Sequence, residues 1–143
     1  MPAAPTHKSR WVALVNGPVI LPDRLVPGQA ILVEGSRLAG LVHPASLPSD
    51  CERIDVAGRF IAPGLIDIHT HGALARSFNE ADPEAWRTVV EEQARHGVTS
   101  LLATPAGAPL PNLLACLETA RQWLAQARPG AHVLGVHLEG PYF

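Results

Sequence analysis

Short apolar runs broken at close intervals fill the first part of the chain, and longer runs with a helical period follow from about residue 63. Trp11 to Val15, Val19 to Leu21, Ala30 to Glu34, Leu38 to Val42 and Arg53 to Val56 are too short for helices. Asn16-Gly17, Pro22-Asp23, Pro27-Gly28, Gly35 and Ala57-Gly58 punctuate them. Such runs between turn residues read as β-strands. Roughly 50 residues of this kind lie near the lower limit for independent stability. Residues 1–62 are therefore read as a small β-sandwich lobe, completed by strands from elsewhere.

Beyond Pro63 the period changes. Asp82-Pro83-Glu84 supplies an N-cap, a proline at the first helical position and an acid in the first turn. The helix predicted over Pro83 to Arg95 places Trp86, Val89, Val90 and Ala94 on one face, and His96-Gly97 ends it. A strand from Val98 to Ala103 follows, then a second helix from about Pro111 to Ala127. Its apolar stripe is read as Leu113, Leu114, Leu117, Ala120 and Leu124. A strand from His132 to Leu138 closes the series. With the strand Leu65 to Ile68 at its head, the order is βαβαβ, which predicts parallel strands joined by crossover helices. The fold class is thus α/β.

Two of these strands end in residues that carry chemistry. Ile61 to Gly72 reads Ile-Ala-Pro-Gly-Leu-Ile-Asp-Ile-His-Thr-His-Gly. Alternation along a strand puts Leu65, Asp67, His69 and His71 on one face and Ile66, Ile68 and Thr70 on the other. Two imidazoles then converge at one strand end, where they are either half-solvated and idle or a pair of metal ligands. His137-Leu138-Glu139-Gly140-Pro141 ends the third strand. Parity places Glu139 on the same rim as His71, and the glycine and proline after it demand a specific bend. On that rim Glu139 is either a solvated turn residue or a carboxylate ligand.

Composition narrows the class. Of 143 residues, 47% are hydrophobic and 17% charged, enough apolar material for a core and unlike a disordered chain. The net charge is −2 and lysine and arginine form no stripe, so neither nucleic acid nor an anionic membrane is expected as a partner. Cys51 and Cys116 stand in unlike contexts and are read as two unpaired thiols in a reducing compartment. Met1 to Arg10 is rich in proline and alanine, and no long apolar run follows it. Neither a signal peptide nor a transmembrane helix is expected, and the location is read as cytoplasmic.

Placed after Pro63-Gly64 and an Ile-Asp-Ile strand, His69-Thr70-His71 resembles the first-strand metal motif of the amidohydrolase superfamily. Together with Gly97-Val98-Thr99-Ser100 and Val136-His137-Leu138-Glu139-Gly140-Pro141-Tyr142-Phe143, it resembles the N-acetylglucosamine-6-phosphate deacetylases. That resemblance implies a (β/α)8 barrel of which residues 63–143 are the start, about three βα units, behind a partial β-sandwich lobe. It also implies a divalent metal, zinc or iron, as one or two ions. Glu139 matches the family's metal ligand, and His69 and His71 match the superfamily positions for an additional ion. Asp67 and His137 are expected in supporting or packing roles. The implied reaction is hydrolysis of the acetamide of a phosphorylated amino sugar, in a full-length form that is a homo-oligomer.

The family's general-base aspartate and its remaining ligands match no residue of this chain. A complete barrel takes about 250 residues, so the expectation is an N-terminal portion that is not active alone. Two rival expectations stand: another amidohydrolase, of cyclic-amidase or deaminase type, or a non-enzymatic truncated chain.

Overall fold

The structure is a computed structural model, and it describes residues 11–140. Met1 to Arg10, where no leader was read, and the last three residues of the Glu139 motif lie outside the described residues. The chain divides into two compact units with the boundary after Pro63.

In the first unit, β1 (Trp11–Val15), β4 (Ala30–Glu34), β5 (Arg37–Val42) and β6 (Glu52–Asp55) form one sheet in the order β5-β4-β1-β6. β4 pairs antiparallel with β1 and β5, whereas β6 joins β1 in parallel. β2 (Val19–Ile20) and β3 (Leu25–Val26) make a separate two-stranded ribbon. Ala13, Ala30, Leu32 and Leu47 form the buried core, with Trp11, Val15, Val42 and Cys51 packed around it. Asn16 takes a positive φ of 63° at the predicted turn, and its side-chain amide donates to Asp55 Oδ1 at 2.9 Å. The Ala57 backbone N–H and that amide hold the Asp55 carboxyl below its ordinary range. The sequence pattern does not reveal β3 or the 3-10 turn Pro44–Ser46, each too short for periodicity to register.

The second unit comprises β7 (Leu65–Thr70), β8 (Gly72–Ala73), β9 (Arg76–Ser77), α1 (Pro83–Arg95), β10 (Val98–Ala103), α2 (Leu110–Leu124) and β11 (His132–Val136). β7, β10 and β11 make a parallel sheet in the order β11-β10-β7, and β8 and β9 form a small hairpin. α1 begins where the sequence places it: the Asp82 carboxylate accepts from the Glu84 N–H at 3.0 Å, and Pro83 opens the first turn. Gly97, at φ 86°, ends it in the left-handed region, a backbone conformation that is strained for residues with a side chain. Phe78, Trp86, Val89 and Val90 pack with Leu101, Ala103, Trp123 and Val133 in one core.

Two expectations change. Cys116, Thr119 and Trp123 are buried on α2 alongside Leu113 and Ala120, while Leu114 and Leu124 are 55% and 47% exposed. The larger indole wins the inner position, with its ring 6.0 Å from that of Trp86. The third strand ends at Val136, yet the backbone continues beside the loop after β10. There His137 N–H donates to the Ala103 carbonyl at 2.9 Å, and Glu139 N–H to that of Pro105 at 3.2 Å.

Candidate metal centre

The side chains that carry chemistry gather where β7 and β11 end. Two backbone bonds fix their heights: Thr104 N–H donates to the Thr70 carbonyl at 3.0 Å, and Glu139 N–H to that of Pro105. The loop after β10 is thus stitched to both neighbours, and Glu139 comes level with the two histidines. Glu139 Oε2 lies 3.3 Å from His69 Nε2 and 3.1 Å from His71 Nε2. One donor atom from each of the three residues falls within a 4.8 Å span.

This donor set fits a small divalent cation. Two ligands bound tetrahedrally at zinc distances sit about 3.4 Å apart, close to both histidine–glutamate separations. His71 Nδ1 is 2.9 Å from the Thr104 carbonyl, an acceptor only, so Nδ1 carries the proton and donates. In the neutral ring that leaves the Nε2 lone pair directed at the cluster, the arrangement by which an outer partner selects a ligand's tautomer. The carboxylate also offsets one of the two positive charges of such an ion.

β7 departs from strict alternation. Asp67 is registered beside Leu101 and Thr70 beside Ala103, so three steps along β7 span two along β10. This bulge lies at Ile68 and His69, and bulges re-aim side chains near functional sites. Asp67 bonds the backbone and not a ring: its Oδ1 accepts from the His69 backbone N–H at 3.0 Å. His137 donates from Nδ1 to the Ile68 carbonyl at 3.1 Å, and its ring meets that of His69 edge to face at 4.7 Å.

Several supporting residues carry no sequence signal of their role. Thr104 is fully buried; its hydroxyl oxygen accepts from Thr70 N–H at 3.2 Å, while its hydroxyl donates to the Leu102 carbonyl at 3.3 Å. Gln93 of α1 donates to the Thr70 hydroxyl at 3.2 Å, tying helix to strand end. Asn79 brackets Ala106, accepting from its N–H at 2.8 Å and donating to its carbonyl at 2.9 Å. Cys116 donates to the Asn79 carbonyl at 3.1 Å, and burial pushes its thiol pKa up, as in an inert structural cysteine. Both cysteines are free thiols.

The amidohydrolase family model matches residues 60–143, the stretch that contains the whole cluster. The chain belongs to the amidohydrolase family. It is 35% identical over 107 residues to the N-acetylgalactosamine-6-phosphate deacetylase of Escherichia coli O157:H7, covering 75% of this chain and 28% of that protein. To the N-acetylglucosamine-6-phosphate deacetylase of Haemophilus influenzae it is 28% identical over 131 residues, covering 91% of this chain and 34% of that one. The crystal structure of the Pasteurella multocida N-acetylglucosamine-6-phosphate deacetylase matches 92% of this chain and 35% of its own, with a TM-score of 0.85 at 26% identity. The chain thus spans about a third of the length of these relatives. Among the described residues, no helix is long and apolar enough to cross a membrane.

Proposed function

We propose that this chain forms the N-terminal part of a metal-dependent deacetylase that cleaves N-acetylglucosamine 6-phosphate, or its galactosamine epimer, to the free amine and acetate. In this reading residues 1–62 are part of a β-sandwich lobe, and residues 63–143 are the first three βα units of a (β/α)8 barrel. The convergence of His69, His71 and Glu139 at the strand ends carries the proposal. Barrel enzymes of this kind build their chemistry at the carboxyl ends of the strands.

The three residues would hold zinc or iron. When bound, such an ion supplies Lewis acidity, making water nucleophilic near neutral pH. Glu139 contributes the anionic donor. His71 is held in the donating tautomer by Thr104, and Asp67 secures the backbone at His69. The acetamide substrate follows from the relatives' names, which include both amino-sugar epimers. Two free thiols support a reducing, cytoplasmic setting.

The test has two arms. Competition with a chromophoric chelator measures zinc affinity of the 143-residue chain. Glu139→Gln is expected to weaken binding at least ~10-fold, the lower end for disturbing a metal's ligand environment. For the substrate, residues 1–140 are grafted onto the remainder of the Pasteurella multocida enzyme. Acetate release from N-acetylglucosamine 6-phosphate is expected from the graft and not from its Glu139→Gln form. Zinc binding indifferent to Glu139 would overturn the metal reading. A graft that binds zinc yet releases no acetate would overturn the substrate.

A further inference from the structure

The bulge in β7 sets one peptide group between two registered pairs, and side chains bond it on both sides. Ile68 and His69 fall between the registered pairs Asp67 with Leu101 and Thr70 with Ala103. The Ile68 carbonyl and the His69 N–H belong to the same peptide plane, the one that sets the direction in which the His69 side chain leaves the strand. Backbone groups of this kind require partners. Here side chains supply both: Asp67 accepts from the N–H at 3.0 Å, and His137 Nδ1 donates to the carbonyl at 3.1 Å.

The second bond is topologically unusual. β10 separates β7 from β11, and strands two places apart are about 9–10 Å from one another. His137 bridges that gap, its own backbone N–H donating to the carbonyl of Ala103 on the intervening strand. The same ring lies edge to face with His69 at a 4.7 Å centroid separation and a 76° interplanar angle. One residue therefore holds both the peptide that aims His69 and the imidazole itself.

We infer that His137 is a positioning residue for the cation site, acting on His69 chiefly through the hydrogen bond to the Ile68 carbonyl. The inference rests on the metal reading proposed above. Because the ring's other partner in that bond is a carbonyl, His137 carries its proton on Nδ1. An asparagine can place a side-chain N–H near the position of Nδ1, whereas a phenylalanine keeps the aromatic contact and loses the donor.

Zinc affinity is compared for wild type, His137→Phe and His137→Asn, with thermal melts reporting the fold. Loss of an outer partner to a metal ligand typically costs about 10–100-fold in affinity. His137→Phe is expected to weaken zinc binding at least ~10-fold, and His137→Asn to remain within about 3-fold of wild type, the difference reflecting the retained donor. Long-range nitrogen–proton correlation spectra of the metal-free wild type provide a reading that does not depend on any variant folding. His137 is expected as the Nδ1–H tautomer.

A wild type that binds zinc while His137→Phe binds it equally well overturns the positioning role and leaves the metal site standing. Equal weakening in both variants overturns the hydrogen bond as the agent, as does an Nε2–H tautomer. A wild type that binds no zinc overturns the metal reading and this inference with it.

Discussion

The two units are held in different ways. The main buried cluster of the first has four residues, two of them alanines, so its order rests largely on the backbone ladder of β5-β4-β1-β6. The buried cluster of the second has eleven, among them Phe78, Trp86 and Trp123, whose rings lock α1 and α2 onto the parallel sheet. All three candidate ligands belong to the second unit, His69 on β7 and His71 and Glu139 just past the ends of β7 and β11. Dense packing under a sheet is what holds its strand ends still. The thin core of the lobe offers no such platform.

The largest effect should come from breaking the denser core. Trp86 is fully buried, lies 4.9 Å from Phe78 and donates from its indole to the Glu80 carbonyl at 3.1 Å. Trp86→Ala is expected to cost about 3–5 kcal/mol. Leu32→Ala in the lobe, with alanine neighbours, should cost about 2 kcal/mol, the low end for a leucine. Urea unfolding followed by far-UV circular dichroism measures both. Equal losses would remove the contrast between the units.

How much of this was legible depends on whether the deciding partner is near in sequence. α1 was readable from Asp82-Pro83 to His96-Gly97, because cap, proline and glycine all act within a turn of the helix end. His69, His71 and Glu139 were readable as one rim, since strand alternation and parallel order suffice to bring them together. The bulge at Ile68 and His69 was not, because it arises from pairing with β10 and its partners are Asp67 and the distant His137. On α2 two stripes are compatible with a helical period. The one bearing Trp123 and Cys116 faces inward because the core it meets comes from α1 and the sheet. The hairpin β8–β9 was invisible for a different reason. Its two-residue turn is Leu74-Ala75, with φ of 52° and 58°, and it lacks the Asn-Gly signal such turns normally show.

That turn offers the next test, at the exposed tip of a hairpin whose Ala73 packs against the core of the second unit. Non-glycine residues in the left-handed region cost about 1–2 kcal/mol each. Leu74 is 62% exposed, so replacing it loses little packing. Leu74→Asn combined with Ala75→Gly is expected to raise stability by about 1–2 kcal/mol, part of the relief being offset by glycine's freedom in the unfolded chain. A rise in the urea midpoint at unchanged slope would show it. An unchanged or lower midpoint would mean that Leu74 makes contacts that repay its backbone conformation, extending the well-packed region to the hairpin tip.

The smallest effect lies on the outer face of α2, where charge decorates the packed unit without building it. The Arg121 guanidinium grips both oxygens of Glu118 at 2.7 and 2.8 Å, and the Gln122 amide adds a third bond at 2.8 Å. Arg121 first and Gln122 second pull the Glu118 pKa from 4.5 to about 2. A carboxyl whose folded value is depressed stabilises the fold fully above its unfolded value and progressively less as it takes up a proton. The contribution is therefore complete above pH 4.5 and is lost as pH falls through about 2. Glu118→Gln should lower the melting temperature slightly at pH 7, and the gap to wild type should close between those two values. Because the pair is solvent-exposed, added salt should narrow the gap as well. A gap that persisted below pH 2 would show that the glutamine disturbs the helix by some route other than charge.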